Sequence, residues 1–122
     1  MTIRRWRAAA ATAFALALSW AVAQGAPLPY QDPDLSTEVR VSDLLARMTL
    51  EEKVGQMTLL EKGSATPADA TRLALGGVLS GGGGYPAGGN TVAAWTAMVR
   101  AYQDAALATR LGIPLLYGVD AV

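Results

Sequence analysis

The stretch that most constrains the fold is Ile113-Pro114-Leu115-Leu116-Tyr117-Gly118-Val119-Asp120-Ala121-Val122. It is an apolar run opened by a proline and closed by a single carboxylate. Apolar residues at consecutive rather than alternating positions predict a buried strand of a parallel sheet. Parallel strands need a crossover connection, and the residues upstream supply one. Gly77-Val78-Leu79-Ser80 predicts a short buried strand. Val92, Trp95, Val99, Tyr102 and Ala106 then recur at spacings of three and four, the apolar stripe of a helix, on which Trp95 reads as core. Asn90 stands where a cap belongs, and Gly112 with Pro114 closes the helix and starts the last strand. Strand, helix and strand make one βαβ unit, expected parallel and right-handed, so the fold class is α/β.

In such folds ligands are met at the C-terminal ends of the strands. Asp120 falls there and is the best candidate to touch a substrate. A carboxylate in that position can accept hydrogen bonds from two neighbouring sugar hydroxyls, and charge-assisted bonds are stronger than neutral ones. The plainer alternative is a surface acid or a cap for a following helix. Between the first strand and the helix runs a glycine-dominated loop, Gly81 to Gly89. It holds no Gly-x-x-x-x-Gly-Lys pattern, which excludes a P-loop. Gly82-Gly83-Gly84-Tyr85-Pro86-Ala87 formally matches Gly-x-Gly-x-x-Ala. Pro86 and two more glycines precede the helix cap, however, so the helix N-terminus comes too late to meet a pyrophosphate. A flexible loop at the mouth of a barrel, with Tyr85 as its exposed aromatic, fits better.

Upstream, residues 27–40 hold three prolines within Pro27 to Asp34 and read as an extended lead-in. Ser42 is placed to cap a turn or two carrying Leu44, Leu45 and Met48. Thr49-Leu50-Glu51-Glu52 is a capping box, after which Leu50, Val54 and Met57 share one face of a helix. Glu51 and Glu52 suit the positive end of that helix, which is reason enough for a carboxylate pair there. Thr66-Pro67-Ala68-Asp69 marks another helix start, with Leu73 and Leu75 facing the core before Gly76 ends it.

Residues 1–26 have the three parts of a secretory signal peptide. Arg4, Arg5 and Arg7 form a positive region, Ala8 to Ala23 an apolar one, and Ala21-Val22-Ala23 and Gly25-Ala26 offer small-residue cleavage sites. No stable membrane insertion is expected after cleavage, and the location implied is periplasmic or extracellular. Three of the ten basic residues fall in this leader, leaving seven against ten acids. No Lys/Arg cluster remains, which argues against a nucleic-acid partner. There is no cysteine and no histidine. Disulfides are therefore excluded, the usual zinc ligands are absent, and no Ser-His-Asp or Cys-His arrangement can be assembled. No cofactor or metal is implied.

Three segments carry a resemblance to a known family. Val41-Ser42-Asp43-Leu44-Leu45-Ala46-Arg47-Met48-Thr49-Leu50-Glu51-Glu52-Lys53-Val54-Gly55-Gln56-Met57 resembles the opening of the catalytic domain of glycoside hydrolase family 3. Gly77 to Gly83 resembles that family's first strand and loop, and Ile113 to Val122 its second strand, which in the family usually runs on into a His-Gly pair. The resemblance implies residues 41–122 to be the first helices and first two β/α units of a (β/α)8 TIM-type barrel, incomplete here. It implies a retaining, exo-acting beta-glucosidase or exo-glucanase releasing glucose from β-linked glucosides or oligosaccharides. It makes Asp120 an acid that holds hydroxyls of the non-reducing-end glucose. The family's nucleophile and acid/base correspond to no residue up to Val122, so no catalytic residue is assigned.

Retaining hydrolysis needs two carboxyl groups about 5 Å apart, and a complete barrel roughly 250 residues. The 122-residue chain alone is therefore expected to be inactive. Its open strand edges would favour poor folding and association. An alternative is a short secreted, non-catalytic protein that binds sugars or pairs with another chain. A nucleotide-binding module is disfavoured by the glycine spacing and by export.

Overall fold

The computed structural model describes residues 27–120, and residues 1–26, where a signal peptide is expected, and the final Ala121-Val122 lie outside them. The chain divides into a unit ending at Asp43 and a second running from Leu44. In the first, the lead-in is not wholly extended. Pro29–Gln31 make one 3-10 turn, and helix α1, Thr37–Arg47, begins well before Ser42. The Ser36 hydroxyl accepts from the Val39 amide at 3.4 Å, so Ser36 does the work expected of Ser42, which lies inside the helix. Glu38 in the first turn favours this earlier start. Arg40 Nε donates to the Tyr30 carbonyl at 3.1 Å, and the Tyr30 amide to Asp43 at 3.2 Å.

The second unit is a parallel three-stranded sheet with helices. After the end of α1 come α2 (Leu50–Gln56), β1 (Leu59–Glu61), α3 (Pro67–Arg72), β2 (Gly77–Ser80), α4 (Val92–Leu107) and β3 (Leu116–Val119). The strand order is β1-β2-β3, both pairs parallel, with Leu60, Val78 and Tyr117 in register. β2 falls where the sequence places it. β1 was not expected. Its three residues carry too little alternation to register as a strand, and only its pairing with β2 makes it one.

The capping box expected at Thr49 is formed, and the helix start at Thr66 is a second one. Thr49 Oγ1 accepts from the Glu52 amide at 3.2 Å while Glu52 accepts from the Thr49 amide at 2.8 Å, and Thr66 with Asp69 repeats the pattern. Glu52 does a second job, since Arg110 grips its carboxylate at 2.6 and 3.1 Å and donates to the Arg47 carbonyl at 2.9 Å. The Arg110 hydrogen bond, then the cap, holds the Glu52 carboxyl below its ordinary range. Stability from this carboxylate is thus present above the ordinary glutamate range and is lost as pH falls through the lowered value. Arg110→Ala is expected to cost about 1 kcal/mol at neutral pH, because the grip is two-pronged but exposed. Arg110→Lys should not restore it, since an ammonium lacks the planar fork. Urea denaturation of the three proteins at pH 7 and pH 3 checks this, the gap closing at the lower pH.

The core lies on one face of the sheet, where α3 and α4 cover Val78 and bury Ala65, Ala70, Leu75, Tyr102, Ala106 and Leu115, with Leu60, Met98 and Tyr117 packed around them. Tyr102 donates to the Ala65 carbonyl at 2.5 Å, and burial, then the neighbouring Tyr117, pushes its phenol up, so it stays a donor. Gln103 ties α4 to the lead into β3, donating to the Leu115 carbonyl and accepting from its amide. The helix stripe needs correction: Tyr102 and Ala106 are buried, but Val92 is 86% exposed and Trp95 only half-buried. The buried-strand expectation for Ile113 to Val122 is corrected as well. Among the described residues of that run, Leu116 to Val119 form the strand, and Leu116 is 79% exposed, because among the described residues helices cover one face of the sheet, while Ala121 and Val122 lie outside them. Leu50, Val54 and Met57 are exposed too, leaving the apolar side of α2 uncovered among the described residues.

Gly76 is not the stop for α3. Ala74 takes the positive φ of 48° there. Gly76 is instead a point of contact between backbones, its amide donating to the Gly55 carbonyl at 2.8 Å.

Candidate functional site

The candidate site sits at the C-terminal ends of β2 and β3. β2 ends at Ser80 and β3 at Val119, and the Asp120 amide donates to the Ser80 carbonyl at 2.9 Å, extending the ladder one residue. Asp120 is thereby fixed by its backbone while its side chain is exposed. Ser80 is anchored in turn: it is fully buried, and its hydroxyl shares a 2.8 Å hydrogen bond with Tyr117.

The glycine loop stands beside Asp120. Gly83 has φ +76° and Gly89 φ +96°, a backbone region that favours glycine. The Gly84 amide closes a turn on the Gly81 carbonyl at 2.8 Å. Asn90, expected as the helix cap, is displaced from that role by Thr91, whose hydroxyl accepts from the Ala94 amide at 3.2 Å. Asn90 Oδ1 accepts instead from Trp95 Nε1 at 2.8 Å. That bond explains why Trp95 is not core. A buried indole needs an acceptor, and this one lies at the surface turn before α4.

These residues enclose a shallow pocket of about 150 Å³, lined by Gly83, Gly84, Tyr85, Asn90, Trp95 and Asp120 among others. Among the described residues Asp120 is its one acid, and no basic side chain lines it. A single carboxylate beside aromatic rings and bare glycine backbone can accept hydrogen bonds from a neutral ligand. The Asp120 charge, with no cation lining the pocket among the described residues, disfavours a phosphate there. Among the described residues no group of three His, Cys, Asp or Glu comes close enough to hold a metal ion. A larger groove of about 700 Å³ between α2 and α3 is apolar, lined by Leu50, Val54, Leu60, Leu73 and Leu75. It adjoins the N-terminal ends of the strands, away from Asp120.

Of the residues singled out from sequence, the structure brings Asp120, Tyr85 and the glycine loop to one pocket. Asn90 and Trp95 join it against expectation. Glu51 and Glu52 stay at the start of α2. The signal that could have found the Asn90–Trp95 pair is their spacing of five, which lets a residue before a helix meet its second turn.

No protein-family model matches the chain. It is 33% identical over 122 residues to a periplasmic beta-glucosidase of Salmonella typhimurium, an alignment taking in 97% of this chain and 15% of that protein. A crystal structure of a point mutant of the exo-1,3/1,4-beta-glucanase ExoP from a Pseudoalteromonas species superposes with a TM-score of 0.64 at 32% identity, over 72% of this chain and 15% of that one. A second structure of that glucanase gives 0.63 at 29% identity, over 76% of this chain and 12% of that one. The chain spans about 15% of the length of the curated relative. Over the aligned residues the chain shares its parallel α/β fold with the glucanase structures and its sequence pattern with the beta-glucosidase.

Proposed function

We propose that the chain is the N-terminal part of the (β/α)8-type catalytic domain of an exported, retaining, exo-acting glycoside hydrolase that releases glucose from β-glucosides or β-glucans. In this reading Asp120 holds hydroxyls of the terminal glucose. The nucleophile and the acid/base are supplied from outside this chain. The observation that carries the reading is the position of Asp120, one residue past β3, beside a glycine loop at the C-terminal edge of a parallel sheet. That edge is where barrel enzymes bind substrate. Likeness to a beta-glucosidase and an exo-1,3/1,4-beta-glucanase supports the choice of glycone. The periplasmic relative and the arginine-led apolar leader support export, and among the described residues no helix is long and apolar enough to cross a membrane.

Two measurements test this. The purified chain should turn over an aryl β-glucoside at no more than the buffer rate, because retaining hydrolysis needs a carboxyl pair about 5 Å apart and Asp120 is alone in its pocket among the described residues. Clear turnover would refute the assignment of Asp120 as a binding group only. N-terminal sequencing of the chain recovered from an exporting cell should start just past Ala23 or Ala26. Recovery of the intact leader in the cytoplasm would remove the export claim.

A further inference from the structure

The site carries a feature that the binding role of Asp120 does not use. Tyr85 is 57% exposed, yet it lines the same pocket as Asp120. Its place is set by the loop: the Tyr85 amide donates to the Gly83 carbonyl at 2.9 Å, immediately after the turn closed by Gly84. Trp95 lines the same pocket and is held in one orientation by the Asn90 bond. The indole N–H is already satisfied, so the ring offers the pocket an apolar wall and no donor.

A pyranose has a polar rim of hydroxyls and an apolar face of C–H groups. The pocket offers a carboxylate for the rim and aromatic surface for the face. The glycine backbone between them lets a ring approach closely. An anion is disfavoured by Asp120 and by the absence of a lining cation among the described residues.

We propose that Tyr85 is a specificity-determining residue that stacks on the C–H face of the sugar ring from whose hydroxyls Asp120 accepts hydrogen bonds, with Trp95 as a second apolar wall of the pocket. The inference rests on the reading of Asp120 as a hydroxyl contact. Tyr85 acts through its ring and not its hydroxyl, so phenylalanine replaces it and alanine does not. Tyr85 lies in a loop and is half-exposed, so neither change disturbs the core.

The test is a titration of the full 122-residue chain with methyl β-D-glucopyranoside, followed by amide chemical shifts, for the wild type, Tyr85→Ala, Tyr85→Phe and Asp120→Asn. Tyr85→Ala is expected to weaken binding about fivefold to tenfold, the size of one aromatic contact, and Tyr85→Phe to stay within about twofold. Asp120→Asn reports the underlying reading separately. If Asp120→Asn weakens binding and Tyr85→Ala does not, Asp120 keeps its role and the stacking proposal falls. If Tyr85→Ala weakens binding and Asp120→Asn does not, the stacking role stands and the hydroxyl contact falls. Equal losses in Tyr85→Ala and Tyr85→Phe overturn stacking in favour of a contact through the phenol. No shift in the wild type at millimolar sugar overturns both.

Discussion

Replacing Gly76 by alanine is expected to abolish the cooperative melting of the sheet-bearing unit. A Cβ built on Gly76 would stand 2.0 Å from the Gln56 carbonyl oxygen and 2.7 Å from its carbon. The facing glycine is as tightly placed, since a Cβ on Gly55 would lie 2.0 Å from the Leu73 oxygen and 2.6 Å from that of Ala74. These are backbone atoms, so no side-chain rotation relieves the clash. The same contact carries the Gly76–Gly55 hydrogen bond, and the Gln56 side chain donates to the Ala74 carbonyl at 2.9 Å. Relief would mean moving α2 away from the start of β2 and breaking both bonds. The expected cost exceeds about 3 kcal/mol, the range of severe overpacking, which a unit this small does not tolerate. Gly88→Ala is the control. Its Cβ would meet only the Ala94 methyl at 3.5 Å, and the melting temperature should hardly move. Circular dichroism melts of the two variants decide the matter. A Gly76→Ala protein melting within a few degrees of wild type would mean that α2 does not pack on β2 in this way.

That pair of glycines shows why some of the molecule was legible in the sequence and some was not. The capping box at Thr49 and the helix start at Thr66 were readable because each is local, its partners three residues apart. β2 was readable because the three residues Val78-Leu79-Ser80, between a glycine pair and a glycine run, leave room for little else. The Gly55–Gly76 contact was not, since it depends on two segments about twenty residues apart meeting in space. β1 was hidden for the same reason, being a strand through its neighbour and not through its own pattern. The helix stripe through Val92 and Trp95 had the right period but the wrong extent. Periodicity tells which residues share a face, not how far the covering sheet reaches. Asp120 was legible as a position at a strand end. Its neighbours were legible only in part, because the glycine loop has no periodicity from which to place Tyr85, and the Asn90 side chain could serve either a helix or an indole.

The second large effect concerns the uncovered face of the sheet. Leu59, Gly77 and Leu116 are in register on it, with Glu61, Leu79 and Gly118 two residues further along the strands on the same side, so one carboxylate borders the apolar row. Leu59 is 57% and Leu116 79% exposed. Parallel sheets occur with both faces covered, and here α3 and α4 cover only the other one. Among the described residues β1 and β3 are both outer strands, each with one edge unpaired. An open edge beside an apolar face is a template for association. Burying one leucine side chain is worth about 1.5–3 kcal/mol, and two copies meeting on this face would bury several. The purified chain is therefore expected to elute from size exclusion as dimers or larger species at tens of micromolar, a range in which exposed apolar surface drives association. Leu116→Lys should shift it towards monomer. The substitution puts a charge on the outer strand of the patch, at its most exposed leucine, and removes no buried contact, so the melting temperature of the dilute protein should stay within a few degrees. Leu115→Lys, one residue earlier, is the contrasting change. Leu115 is buried in the core, and a lysine there has no partner and no route to solvent, so this variant should not fold. Opposite outcomes at adjacent residues follow from the pleat alone, which turns Leu115 towards α4 and Leu116 away from it. A wild-type chain that stays monomeric, with Leu116→Lys indistinguishable from it, would mean that this face is covered in solution.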